Sequence, residues 1–158
     1  MLPEEVTQFV GKGGEVRVFE VEKGAIGRFA DAVDDPNSLY RDEEYARNSR
    51  YGSIIAPPGF FGWPARQSRG AALTDGPNAE LSVALSNAGY SRLLDGGIEY
   101  EFLCPIRAGD TLAASSIIKD IRERGGSSGK MVFVRIETTY VNQNGDTAAK
   151  ALSTLIHR

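Results

Sequence analysis

Histidine is nearly missing from this chain: its 158 residues include one, His157. Cysteine is equally scarce, with Cys104 alone. One of each nearly excludes a zinc site built from side-chain nitrogen and sulfur, so no metal is expected. A Ser-His-Asp or Cys-His mechanism would have to use His157, which reads instead as the end of the last strand. A lone cysteine allows no internal disulfide and suits a reducing, cytoplasmic setting. Cys104 sits in the apolar run FLCPI and reads as a small buried residue rather than a nucleophile. Apolar segments never exceed strand length, and the first ten residues carry Glu4 and Glu5. The expectation is neither a signal peptide nor a membrane span. Basic charge is not in excess either: 18 Lys and Arg against 21 Asp and Glu give −3. Arg66 and Arg69 are close together, but Arg47 and Arg50 are diluted by nearby acids. Nucleic-acid phosphates want a concentrated basic face, so no nucleic-acid partner is expected.

What is present is ordinary globular material. Apolar residues make up 41% and charged residues 25%, and the length suits one domain over residues 1–158. The turn signal GKGG precedes VRVFEV, whose alternation predicts a strand. Ile26, Phe29, Ala30 and Val33 recur at helical spacing and predict an amphipathic helix that stops before Pro36. Asp42, Glu43 and Glu44 then open a short helix through Tyr45 and Arg47, with its acids at the positive end. The prolines of IIAPPGFFGWPARQSRG predict a further helix, made short or irregular by Gly59, Gly62 and Pro64. Residues 70–91 are rich in Gly, Ala, Asn and Ser and read as a long surface loop. From Leu93 onward four strand-like runs follow, broken by RAGD, GGSSG and NQNGD; the last holds a strong tight-turn signal. Strands with helices segregated to one face define an α+β domain.

The run GGSSGK is not a phosphate loop, because the four-residue gap between glycines is absent and Met131 follows the lysine. Lys130, Arg122 and Arg124 flank that turn and read as solvated strand ends, with coenzyme A phosphates as the second reading. By itself Asp35-Pro36-Asn37-Ser38 is turn chemistry. Phe60, Phe61 and Trp63 are most simply core or interface, and secondarily the lining of an acyl channel.

The segment FADAVDDPNSLYRDEEYARNSRYGSIIAPPGF resembles the signature of the MaoC-like hydratase/dehydratase family, whose catalytic loop runs approximately G-D-x-N-P-x-H. Asp35 matches the family's catalytic aspartate and Asn37 its asparagine. Tyr40 stands where the catalytic histidine belongs, Asp34 replaces the glycine and Ser38 the proline. Tyrosine at this place, APP before the next helix, and the later LLDGGIEYEFLCPIRAGDTL and TYVNQNGD resemble the N-terminal-type, fungal fatty-acid-synthase-like branch. That branch includes non-catalytic subunits of 3-hydroxyacyl-carrier-protein dehydratases. The resemblance spans roughly residues 5–158. It implies a single hot-dog fold, a curved antiparallel sheet around a central helix. It also implies a catalytic remnant at Asp35, Asn37 and Tyr40, and substrate contacts at Ala56, Pro57, Pro58, Gly59, Phe60 and Trp63. The implied ligand is an acyl-CoA or acyl-carrier-protein thioester, with no cofactor. The implied partner is a MaoC-like subunit with an intact Asp/His pair, or a second copy of the chain.

Hydrating a 2-enoyl thioester takes a base for water, an acid for C2 and a donor for the developing enolate oxygen. The family meets these needs with Asp, His and a backbone N–H at a helix start. A phenol with a reference pKa near ~10 is a poor base at neutral pH, though it donates a hydrogen bond. Pro57 and Pro58 carry no N–H, which leaves Gly59 or Phe60 as donor. The chain therefore reads as a subunit of an (R)-specific enoyl-thioester hydratase or 3-hydroxyacyl dehydratase, weak or inactive alone. The alternatives are a self-sufficient hydratase using Asp35 with Tyr40 or water, an acyl-CoA-binding module, and a thioesterase.

Overall fold

A computed structural model describes residues 2–62, 76–126 and 129–158. Five strands form one antiparallel sheet: β1 Arg17–Glu20, β2 Leu93–Phe102, β3 Thr111–Gly126, β4 Gly129–Asn142 and β5 Thr147–His157, in the order β1-β3-β4-β5-β2. Alternation sets the sheet's inner face. Val132, Val134, Ile136 and Tyr140 are buried at every second position or a multiple of it, as period-two geometry requires. On β3 the buried set runs Leu112, Ala114, Ile118 and then Ile121. The three-residue step falls at a register shift between Ile118 and Asp120, where one extra residue returns Ile121 to the inner face. The NQNGD turn closes as its composition predicts: Asn142 Oδ1 accepts from the N–H groups of Asn144 and Asp146, both at 3.0 Å.

Among the described residues four α-helices accompany the sheet: α1 Glu4–Thr7, α2 Lys23–Ala32, α3 Glu43–Arg47 and α4 Gly76–Asn87. Ile26 and Ala30 of α2 are fully buried, Phe29 is half-buried, and Val33 caps the helix and lies exposed. The Asp42 side chain accepts from Tyr45 N–H at 3.0 Å and starts α3, as its acidic opening predicts. The loop expected over residues 70–91 is corrected over 76–87, which form α4, while 70–75 lie outside the described residues. The burial of α4 rests on Leu81 and Leu85 alone, one turn apart, with Pro77 in the first turn. Small residues elsewhere hide that stripe. Where a helix is expected after Pro58, the described residues form a 3₁₀ turn over Phe60–Gly62, and Trp63 lies outside the described residues.

The core divides along the strands. One cluster joins α2, Tyr40 and Phe60 to Leu112, Tyr140 and Ala149. The other joins α1 and α4 to Ile118, Ile121, Val132 and Val134. Each strand from β3 to β5 thus contributes one end to each cluster.

Candidate functional site

The loop after α2 is built by its own side chains. Asp34 has φ +53°, left-handed backbone that Asp tolerates better than most residues. The resemblance places a family glycine there, which meets the same conformational demand. Asp35 Oδ1 accepts from Asn37 N–H at 3.1 Å, and Asn37 Oδ1 from Leu39 N–H at 3.0 Å. Arg41 straps the loop by donating to the Asp35 carbonyl at 2.7 Å and to Asp31 at 2.8 Å. The loop delivers Tyr40, only 8% exposed, on a 3₁₀ turn over Ser38–Tyr40.

Tyr40 opens onto a cleft of about 780 Å³, within the range of small-molecule sites. Asn37, Ala56, Pro57 and Pro58 line it as well. Asp35, Gly59 and Phe60 do not. Phe60 is fully buried and meets Phe29 edge-on at 5.7 Å, so it belongs to the core beneath the site. Its neighbour Phe61 lines the cleft and stacks edge-on with Tyr140 at 4.4 Å and Tyr100 at 5.0 Å. Sequence reasoning left three further lining residues unassigned: Arg50, Tyr51 and Arg107. No motif joins them, since Arg107 arrives from the β2–β3 connection.

Burial pushes the Tyr40 phenol above its ordinary value, and the nearby Asp35 carboxylate and Tyr51 push the same way. Tyr40 is therefore a neutral donor at physiological pH and not a base. Burial likewise raises the Cys104 thiol, helped by Asp146 and Asp110 and opposed by Arg107. Of the two candidate oxyanion donors, Phe60 N–H is spent on the Pro57 carbonyl at 3.1 Å. Gly59, at φ +86°, has its N–H unengaged among the described residues.

His157 is far from this chemistry. It ends β5 opposite Leu93, whereas Phe102 of the cleft pairs with Ala149. Eight residues of strand separate Ala149 from His157, a span of about 26 Å. A second hollow, about 430 Å³ over α3, is lined by Asp42, Glu44, Tyr45, Asn48 and Ser49. It shares none of the predicted site residues.

A curved five-stranded antiparallel sheet in this strand order, with helices packed on one face, is a hot-dog fold. The chain belongs to the family described as FAS1-like, dehydratase domain region, which matches residues 8–151. A UPF0336 protein of Saccharopolyspora erythraea is 34% identical over 140 residues, covering 89% of this chain and 82% of the relative. The structure is similar to a chain of the ChsH1-ChsH2 complex from Mycobacterium tuberculosis (TM-score 0.85, 19% identity, 97% of this chain and 93% of that one). It is also similar to a chain of the HadBC (3R)-hydroxyacyl-ACP dehydratase complex of the same organism (TM-score 0.71, 21% identity, 94% and 96%). Both neighbours come from complexes of two different subunits.

Proposed function

We propose that this chain is the thioester-binding subunit of an (R)-specific enoyl-thioester hydratase or 3-hydroxyacyl-thioester dehydratase, whose partner subunit supplies the Asp/His pair. The observation that carries this reading is Tyr40: a buried, neutral phenol faces the cleft where the resemblance demands an imidazole. Tyr40 has a hydroxyl to donate into the cleft, so the chain can orient a thioester without moving its protons. Asp35 is a weak candidate for a self-sufficient base, because it stands off the cleft and holds Asn37 N–H.

The exposed edge at β2 suits such a partner. This edge strand is ten residues long and its Leu94, Ile98 and Phe102 are exposed. An apolar edge of that length invites another strand. Its bulge at Gly96–Gly97 is built in: a Cβ on Gly96 would lie 2.9 Å from Thr154, and Gly97 donates to Asp95 Oδ1 at 2.9 Å. The family assignment and the two-subunit neighbours support a joined sheet. A cytoplasmic location suits a thioester ligand.

The test is hydration of crotonyl-CoA. The purified chain is expected to show little activity, and co-expression with a MaoC-like subunit bearing Asp and His is expected to restore it. Robust turnover by the isolated chain, abolished in Asp35→Asn, would reverse the assignment.

A further inference from the structure

Among the described residues, the cleft that holds Tyr40 is lined by two guanidinium groups and by no carboxylate. That imbalance is local. Lys23, Arg28, Arg41, Lys119, Arg122 and Lys130 each pair with an acid. Arg50 and Arg107 pair with none among the described residues. Both are instead organised around Tyr51. Arg50 Nη2 donates to the Tyr51 hydroxyl at 2.5 Å and stacks on its ring at 4.8 Å. Arg107 Nε donates to the Tyr51 carbonyl at 3.4 Å. These contacts fix each side chain while leaving donors over for a ligand. Two unpaired guanidiniums fixed beside an apolar wall at Phe61, Phe102 and Leu103 suit a molecule with one anionic and one apolar end.

We propose that Arg50, Tyr51 and Arg107 seat a phosphate of the thioester's carrier arm, the group shared by coenzyme A and the phosphopantetheine of an acyl carrier protein. This rests on the thioester reading of the cleft and adds which end of the ligand enters where. The phosphate binds at the arginines and the acyl group lies toward Phe61. The Lys130, Arg122 and Arg124 group near the β3–β4 turn is not used, since its charges are met by Glu123, Asp120 and the Phe133 ring.

The experiment measures binding of four probes to the full chain by calorimetry. They are crotonyl-CoA, crotonyl-phosphopantetheine, crotonyl-N-acetylcysteamine, which has no phosphate, and free coenzyme A. Arg50→Gln and Arg107→Gln are each expected to weaken crotonyl-CoA about tenfold, the scale of one charge-assisted contact, and to leave the phosphate-free ester unchanged. If crotonyl-phosphopantetheine loses as much as crotonyl-CoA, the seat takes the phosphate of either carrier. If crotonyl-CoA alone responds, the arginines meet phosphates that only coenzyme A carries, and the shared-phosphate seat is overturned. Equal weakening of all esters, or of none, overturns the seat while the thioester reading survives. Arginine-dependent binding of free coenzyme A with no contribution from the acyl group keeps the seat and overturns the thioester reading. Absence of all binding overturns both. Arg107 braces backbone, so circular dichroism accompanies its variant; Arg50 is exposed, and its variant decides the matter if Arg107→Gln unfolds.

Discussion

The two ends of the sheet contain similar polar groups used in opposite ways. At one end Tyr40, Tyr51, Arg50 and Arg107 line an open cleft, with their hydrogen-bonding capacity only partly spent. At the other, His157 is 4% exposed, paired across the sheet with Val132 of the second cluster and hydrogen-bonded to the Tyr90 backbone. An imidazole is the usual proton carrier near neutral pH, and here it is shut into the end without a predicted site. Residue type alone therefore misleads: the chemically capable side chain is buried at the end of a strand, and the poorer one lines the open cleft.

This contrast can be broken most forcefully in the core. Phe61→Ala removes a buried ring that stacks with three others and is expected to cost about 3–5 kcal/mol. Leu85→Ala at the far end is expected to cost about 2–5 kcal/mol. Urea unfolding measures both. Thioester binding by the folded fraction separates them, since it is expected to fall in Phe61→Ala and to hold in Leu85→Ala. Equal loss of binding would dissolve the distinction between the ends.

The edge strand offers the next test. Ile98→Lys places a charge on the exposed β2 edge and is expected to abolish assembly with a partner, read by analytical ultracentrifugation, while the chain stays folded. Unchanged assembly would move the interface elsewhere.

The far end also has a pH signature. Burial lowers the His157 pKa below its ordinary 6.5 despite the opposing Tyr90 contact. The unfolded chain then binds the proton more readily than the folded one. The contribution of His157 is complete above about 6.5 and declines as pH falls through the folded value. Denaturation at pH 7.5 and 5.5 is expected to show this loss and His157→Gln to remove it. The smallest effect concerns Asp35. Asparagine keeps the oxygen that accepts Asn37 N–H, so Asp35→Asn is expected to change stability by less than about 0.5 kcal/mol, against about 1 kcal/mol for Asp35→Ala.

Much of this architecture was legible from periodicity. The alternation of VRVFEV and the four runs after Leu93 identified all five strands, and Ile26, Phe29 and Ala30 marked α2. Helix α4 was not legible, because Leu81 and Leu85 are its only buried side chains and the surrounding Gly, Ala, Asn and Ser mimic a loop. Of the residues the motif and the prolines singled out, Asn37, Tyr40, Ala56, Pro57 and Pro58 share one cleft. Phe60 and Phe61 could not be told apart, since a 3₁₀ turn sends adjacent residues to different surroundings. Arg50 looked neutralised by the acids around it in sequence, yet Asp42 caps α3 and Glu43 pairs with Lys23 of α2 instead. Folding, not spacing, frees its charge for the cleft.

The most direct measurement is the turnover number of the reconstituted two-subunit hydratase carrying Tyr40→Phe. If the phenol moves no proton, kcat stays within about twofold of the unaltered complex and any loss appears in KM. A fall in kcat of about a hundredfold or more, the scale of a lost general acid or base, would contradict the account and make Tyr40 a catalyst.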